Sequence, residues 1–291
     1  MPTPNPKDWL PILIRKVDRL VHPNRVSIGE FYTAVPSLGT KIPNIVYQTW
    51  KEPRLEAPHA RVLKQFRRRN PDFSFEFFDD VRAVEYMETA YAGQPILEVF
   101  RYVTIPAARA DLWRYCVLYK EGGMYCDIDS VIKVPLRQLL EGNPSEILSF
   151  EGGVWKGVLD PGRYADPLIY AAEPALEVRK LLDYPDHTVL NWFLAFEAGH
   201  PILKETIDLI VKNFPFFKDR LFESVWLGVI HSTGPLALTQ GVWNWLKNSD
   251  RKPCQRGIDF NGDGVFKIAA DRGRDKVSPY YGAMKGRTLG Q

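Results

Sequence analysis

The sequence predicts an α/β fold on a mostly parallel sheet, and three observations carry that prediction. Short β-branched and aromatic runs, IPNIVYQTW from Ile42 and FSFEFF over residues 73–78, read as buried strands. Stretches between and after them space their apolar residues at helical period. The two kinds of segment alternate, which is the order that builds a parallel sheet covered by helices. No linker-like composition interrupts them. One domain is expected over residues 41–291, with residues 1–40 as an N-terminal helical extension.

The elements follow in order. From Asp8 to Val21, Trp9, Leu13, Val17, Leu20 and Val21 form an apolar stripe beside Lys16 and Arg19. That pattern suits a helix packed on the domain, or a basic amphipathic helix lying on a membrane. After the Ile42 strand, a helix is expected from about Pro58 to Arg69, where the Arg67-Arg68-Arg69 end reads as solvated cations complementing the helix dipole. Ala107 to Lys120 reads as a helix stopped by Gly122-Gly123, and Met124 to Val134 as the next strand. Then come a strand over Glu146 to Phe150 and helices over Glu173 to Leu182, Leu190 to Glu197 and Pro201 to Lys212. Asp259 to Gly264 carries Asn-Gly and Asp-Gly steps and reads as a hairpin turn. It also matches the first six positions of a calcium loop, but Ala270 stands where the bidentate glutamate belongs.

Composition sets outer limits. At 291 residues with 45% hydrophobic content the chain can build a full core. A net charge of +3 suits an anionic small ligand or membrane surface and is too weak for nucleic acid. Cys116, Cys126 and Cys254 have no metal-ligand spacing, and the odd count fits a reduced, cytoplasmic-type chain, with peripheral membrane contact through the 8–21 stripe as the alternative setting. No window approaches 18 apolar residues.

The stretch EGGMYCDIDSVI, residues 121 to 132, sets Asp127 and Asp129 in an apolar segment. On a strand, residues two apart share a face, so both carboxylates are expected to project together. Paired acids repel, and burying them without a partner costs several kcal/mol, so a cation is the natural counter-charge. Oxygen ligands select Mn²⁺ or Mg²⁺, which keep positions open for a diphosphate. Upstream, ARADLWRYCVLYKEGG places Asp111 and Arg114 three apart on one helix face. A surface ion pair would be the ordinary reading, but the surrounding helix is apolar almost all round.

Together IPNIVYQTWK, NPDFSFEFFDD and ARADLWRYCVLYKEGGMYCDIDSV resemble the DXD sugar-binding region of glycosyltransferase family 32, which includes yeast initiating α-1,6-mannosyltransferase and inositolphosphoceramide mannosyltransferases. The glucosylating domains of large clostridial toxins are similar in the same core. The resemblance runs from about Ile42 to Val134 and continues more faintly through LNWFLAFEAGHPIL and HSTGPLALTQ. It implies a GT-A fold, the nucleotide-diphospho-sugar transferase type, and transfer of a hexose from UDP-hexose or GDP-mannose to a hydroxyl of a glycan, lipid or protein. It also implies a divalent metal and retention of anomeric configuration. Residue by residue, Trp50 matches the tryptophan that stacks on the base, Asp111 and Arg114 the pair that contacts donor sugar and phosphate, and Asp127 and Asp129 the metal-binding DXD. Asn191 matches a position near the donor sugar. His231 falls where many such folds bring a third metal ligand. Each has a plainer alternative: core aromatic for Trp50, buried amide or helix cap for Asn191, structural imidazole for His231. No nucleophile is singled out.

Two other classes are weighed on the same residues. DIDSV fits the nucleophile motif of haloacid dehalogenase phosphatases, but Gly262-Asp263 lacks the following acid that chemistry needs. A non-catalytic sugar- or nucleotide-binding protein of the same fold would share the donor-site motifs. Among the aromatics, Trp155, Trp192, Trp226, Trp243 and Trp245 are expected mostly in the core, with some available for sugar stacking.

Overall fold

Val46 and Tyr47 point to opposite faces of one strand, and each enters a different hydrophobic core. That alternation organises the whole computed structural model, which describes residues 25–27, 38–52, 54–132, 134–151, 176–222, 224–258, 266–268 and 288–290. The 8–21 stripe, Trp155 and the Asp259–Gly264 turn lie outside the described residues.

In chain order, β1 (Arg25–Ser27) pairs antiparallel with β3 (Arg54–Glu56) as a short ribbon. β2 (Ile45–Thr49) is followed by α1 (Ala57–Arg69) and β4 (Ser74–Phe78). Three helices then run in succession: α2 (Asp80–Ala90), capped by the Asp79 carboxylate on Arg82 N, α3 (Pro95–Tyr102) and α4 (Pro106–Glu121). β5 (Gly123–Cys126), β6 (Ser130–Ile132), α5 (Leu136–Leu139) and β7 (Glu146–Glu151) follow. The last third holds α6 (Leu176–Arg179), β8 (Thr188–Val189), β9 (Phe193–Phe196), α7 (Pro201–Phe217), α8 (Val225–Ser232), α9 (Pro235–Leu246), β10 (Gln255–Ile258) and β11 (Phe266–Ile268).

The central sheet has the order β10-β7-β9-β5-β2-β4, with β8 paired to β7 off that path. β2 is parallel to β4 and β5, β10 is parallel to β7, and β9 is antiparallel to both β5 and β7. Five of the six strands on the path therefore run one way and β9 alone is reversed, so the expected mostly parallel α/β sheet is what forms. One face carries Tyr47, Trp113, Tyr125 and Leu148 with α4, α7 and α9, and the other carries Val46, Phe66, Phe75, Met124 and Leu139. Burial on both faces accounts for the near-continuous apolar strands.

Three sequence expectations are corrected. Met124–Val134 is not one strand: β5 ends at Cys126, and Ser130 N donates to Asp127 O at 3.0 Å, closing a turn with Ile128 and Asp129 at its centre. Leu190–Glu197 is not a helix but holds β9, because a short apolar run has no period that separates buried strand from buried helix. Arg67 is not solvated. It is buried, and its Nη2 donates to Gln48 Oε1 at 3.1 Å beneath β2, while Arg68 and Arg69 remain exposed. The strands flanking Asp259–Gly264 also find other partners: β10 pairs with β7 and β11 with β6, not with each other.

Candidate functional site

The strand order places the site. From β2 the chain crosses to β4 on one side and then returns to β5 on the other, so the carboxyl ends of β2 and β5 flank a topological switch point. In open α/β sheets ligands settle in the crevice at such a point. Trp50 follows β2 directly and Asp127 follows β5 directly. Trp50 is half-buried against Leu55, Leu63 and Phe77, and Ile128, from the middle of the acidic turn, packs in the same cluster. A pocket of about 120 Å³ opens at this edge, lined among others by Thr49, Asp80, Thr104, Arg109, Ala110 and Trp113.

Gly122 and Gly123 set the angle between α4 and β5. Both hold positive φ, 68° and 106°. A Cβ on Gly122 would meet Ala198 N at 2.7 Å, and one on Gly123 would meet Ile45 O at 2.9 Å. The glycine pair therefore ends α4 and lets β5 lie against β2, which brings the α4 side chains over the acidic turn.

There, Asp111 is buried and all but enclosed by donors. Oδ1 accepts from Asn191 Nδ2 at 3.0 Å and lies 3.4 Å from Arg114 Nη2, while Oδ2 accepts from Thr233 Oγ1 at 3.1 Å. Burial pushes its carboxyl up to about 7, against the opposing pull of Arg114, Thr233 and Asn191. Arg114 is equally buried. Its Nη1 donates to Asn191 O at 2.6 Å, its Nη2 lies 3.6 Å from Asp127 Oδ1, and its guanidinium stacks 4.2 Å over the Tyr125 ring. Tyr125 Oη donates to the same Asp127 oxygen at 2.6 Å. Asp111 and Arg114 are thus no idle surface pair.

Asp111, Arg114, Asn191 and Asp127 form one connected polar group. Asp129 is buried within the same turn as Asp127, whose side chain is 24% exposed. Two carboxylates, Asp111 and Asp127, face the one Arg114 guanidinium. Among the described residues no three His, Cys, Asp or Glu side chains stand together as a cation cage. Asp127 and Asp129 are the side chains that would hold a divalent cation, since Mn²⁺ or Mg²⁺ takes one or two carboxylates and fills its shell with water and substrate phosphates. His231 lies buried on α8, held neutral by burial and by Arg220, which bring its imidazole down to about 4. It is not gathered with Asp127 and Asp129 into such a group. Trp192 and Trp245 are core, and Trp226 and Trp243 are half-buried. Tyr125 and Thr233 are the members that sequence reasoning missed. Tyr125 is two residues from Asp127 and could have been read from strand alternation; Thr233 lies 122 positions from Asp111 and gave no local signal.

Set beside known proteins, the chain is similar to glycosyltransferases. Residues 57–146 match the family model described as the glycosyltransferase sugar-binding region containing the DXD motif. Among its relatives is inositol phosphoceramide mannosyltransferase 3 of Schizosaccharomyces pombe, 28% identical over 210 residues, covering 72% of this chain and 47% of that protein. The initiation-specific α-1,6-mannosyltransferase of Candida albicans is 25% identical over 231 residues, covering 72% of this chain and 55% of its own length. The chain spans about half the length of these relatives. Among solved structures, the PaToxG glycosyltransferase aligns over 84% of this chain and 79% of its own at 16% identity, with a TM-score of 0.48. The matched region and the curated relatives bear out the resemblance drawn from the motifs. No described helix is long and apolar enough to cross a membrane.

Proposed function

We propose that the chain is a metal-dependent glycosyltransferase that moves a hexose from a nucleoside diphosphate sugar to an acceptor hydroxyl. The observation that carries this reading is the Asp111–Arg114–Asp127 group, with Asp111 and Arg114 buried, at the sheet's switch point. The mannosyltransferase names of the relatives favour mannose as the hexose, and the resemblance to family 32 favours retention of configuration. The nucleoside lies against Trp50 and the pocket behind Thr49. A divalent cation on Asp127 and Asp129 would neutralise the departing diphosphate when bound. Arg114, fixed by Asn191 O and stacked on Tyr125, supplies positive charge that needs no reorganisation during transfer. Asp111 accepts from donor-sugar hydroxyls and fixes the ring's orientation.

A donor panel tests the proposal: hydrolysis of UDP-glucose, UDP-galactose, UDP-GlcNAc and GDP-mannose with Mn²⁺, for the wild type and Asp129→Ala. Turnover of one donor, lost with EDTA and reduced at least about 100-fold in Asp129→Ala, is expected. Wild-type turnover indifferent to both would sink the metal-bridged mechanism. No turnover of any donor would favour a non-catalytic binding protein of the same fold.

A further inference from the structure

We propose that Thr233 is a positioning residue for the reaction, holding Asp111 in the orientation that receives the donor sugar; this rests on the reading given above. Thr233 caps the end of α8, its N–H donating to Val229 O at 3.0 Å. Gly234 N donates to that same oxygen at 2.8 Å, and Pro235 opens α9 at once, so the chain turns a tight corner here. The corner has no room for a side chain at Gly234, where a Cβ would stand 2.8 Å from Ile230 Cα.

This corner docks on α4 through two polar contacts. Thr233 Oγ1 donates to Asp111 Oδ2 at 3.1 Å, and Tyr115 Oη donates to Gly234 O at 3.3 Å. Asp111 and Tyr115 are four residues apart, one turn of the same helix face. Thr233 is 1% exposed, so its hydroxyl cannot be replaced by solvent without rearrangement. Asn191 and Arg114 both address Oδ1 of Asp111, whereas Thr233 addresses Oδ2. Two donors on one oxygen leave the carboxylate able to swing about that point. The third donor, on the other oxygen, removes that freedom. The corner between α8 and α9 thereby sets the geometry of a side chain on the helix before the acidic turn.

The hydroxyl has one competing acceptor, Val229 O at 3.4 Å within its own helix. The shorter contact to Asp111 is charge-assisted when the carboxylate is ionised, which favours it over the intrahelical one. A threonine satisfied only by its own helix would have no bearing on transfer, and this alternative makes the two roles separable by experiment.

The test compares wild type, Thr233→Val and Thr233→Ser in hydrolysis of the four donors named above, with melting temperature measured alongside. Thr233→Val, which keeps the shape and removes the donor, is expected to lower kcat roughly 10- to 100-fold while the donor KM moves less than about threefold. Thr233→Ser, which keeps the hydroxyl, is expected to restore kcat to within about threefold of wild type. Equal kcat in wild type and Thr233→Val, or a loss that Thr233→Ser fails to restore although it folds, overturns the inference while leaving the transferase reading intact. A wild type that turns over no donor overturns both.

Discussion

Asp111 shows how one residue's surroundings become a functional constraint. Its carboxyl, ordinarily near 3.8, is pushed up to about 7 by burial, and the hydrogen bonds and guanidinium around it only partly offset that. Between those two values the folded chain holds a proton that the unfolded chain has released, so this group's contribution to stability falls as pH rises from about 4 to about 7. Its role in transfer needs the opposite state, an ionised acceptor for sugar hydroxyls. The kcat/KM for donor turnover is therefore expected to fall tenfold per pH unit as pH drops below about 7, a limb that Asp111→Asn should lack while losing at least about 100-fold in activity at pH 8. A flat wild-type profile between pH 5 and 8, measured by initial rates, would show that Asp111 does not act as the ionised acceptor. The residue was legible in the sequence because its i,i+3 relation to Arg114 falls on a helix too apolar to carry an idle ion pair. Thr233 was not, because nothing local to HSTGP announces a partner on α4.

At the scale of elements, the start of α7 and the edge of the sheet are held by one buried carboxylate. Glu146, with no exposed surface, accepts from His200 Nε2 at 2.9 Å, Ser145 Oγ at 2.7 Å, Arg251 Nη1 and Nη2 at 2.8 and 2.6 Å, and Cys254 N at 3.0 Å. His200 accepts from Ile202 N through Nδ1, so the neutral tautomer carrying hydrogen on Nε2 satisfies both contacts and caps α7. Burial alone would raise the Glu146 carboxyl, but the donors outweigh it and hold it down at about 2, below its ordinary 4.5. The stabilisation is thus fully present above about 4.5 and is lost as pH falls through about 2. Glu146→Gln is expected to cost roughly 3 kcal/mol in urea unfolding at pH 7, with the difference from wild type shrinking as pH falls from 4.5 towards 2. A constant difference across that range would mean packing, not charge, is what Glu146 contributes. None of this knot was legible, because its members lie up to 108 residues apart. The strands at Ile45 and Ser74 were legible from their aromatic and β-branched runs. The acidic stretch was read as strand throughout because its apolar flanks masked Asp127 at the first position of a turn, where aspartate is favoured.

For the whole molecule, the reversed β9 and the crossover between β4 and β5 place the site, and the C-terminal end of the described chain packs beside it. Leu289 is 1% exposed in the core that holds Trp113 and Tyr125. Its carbonyl accepts from Thr104 N at 2.9 Å, and Thr104 lines the pocket at the sheet's carboxyl edge. Beside it, Tyr102 donates to Lys218 O at 2.7 Å at the end of α7, and its ring occupies the space a Cβ on Gly290 would need, 2.8 Å away. Leu289, its side chain in the core and its carbonyl on Thr104, therefore ties down the α3–α4 connection 185 positions earlier in the chain. Leu289→Ala is expected to destabilise by about 2–4 kcal/mol with an unchanged m-value, since it removes buried methyl groups without altering the surface exposed on unfolding. Leu221, 66% exposed near the same end of α7, is the control, and Leu221→Ala should stay within about 0.5 kcal/mol. Equal effects of the two substitutions in urea titration would refute the docking of Leu289. Because Thr104 borders the pocket and not the acidic turn, Leu289→Ala should raise the donor KM more than it lowers kcat, the reverse of the split expected for Thr233→Val.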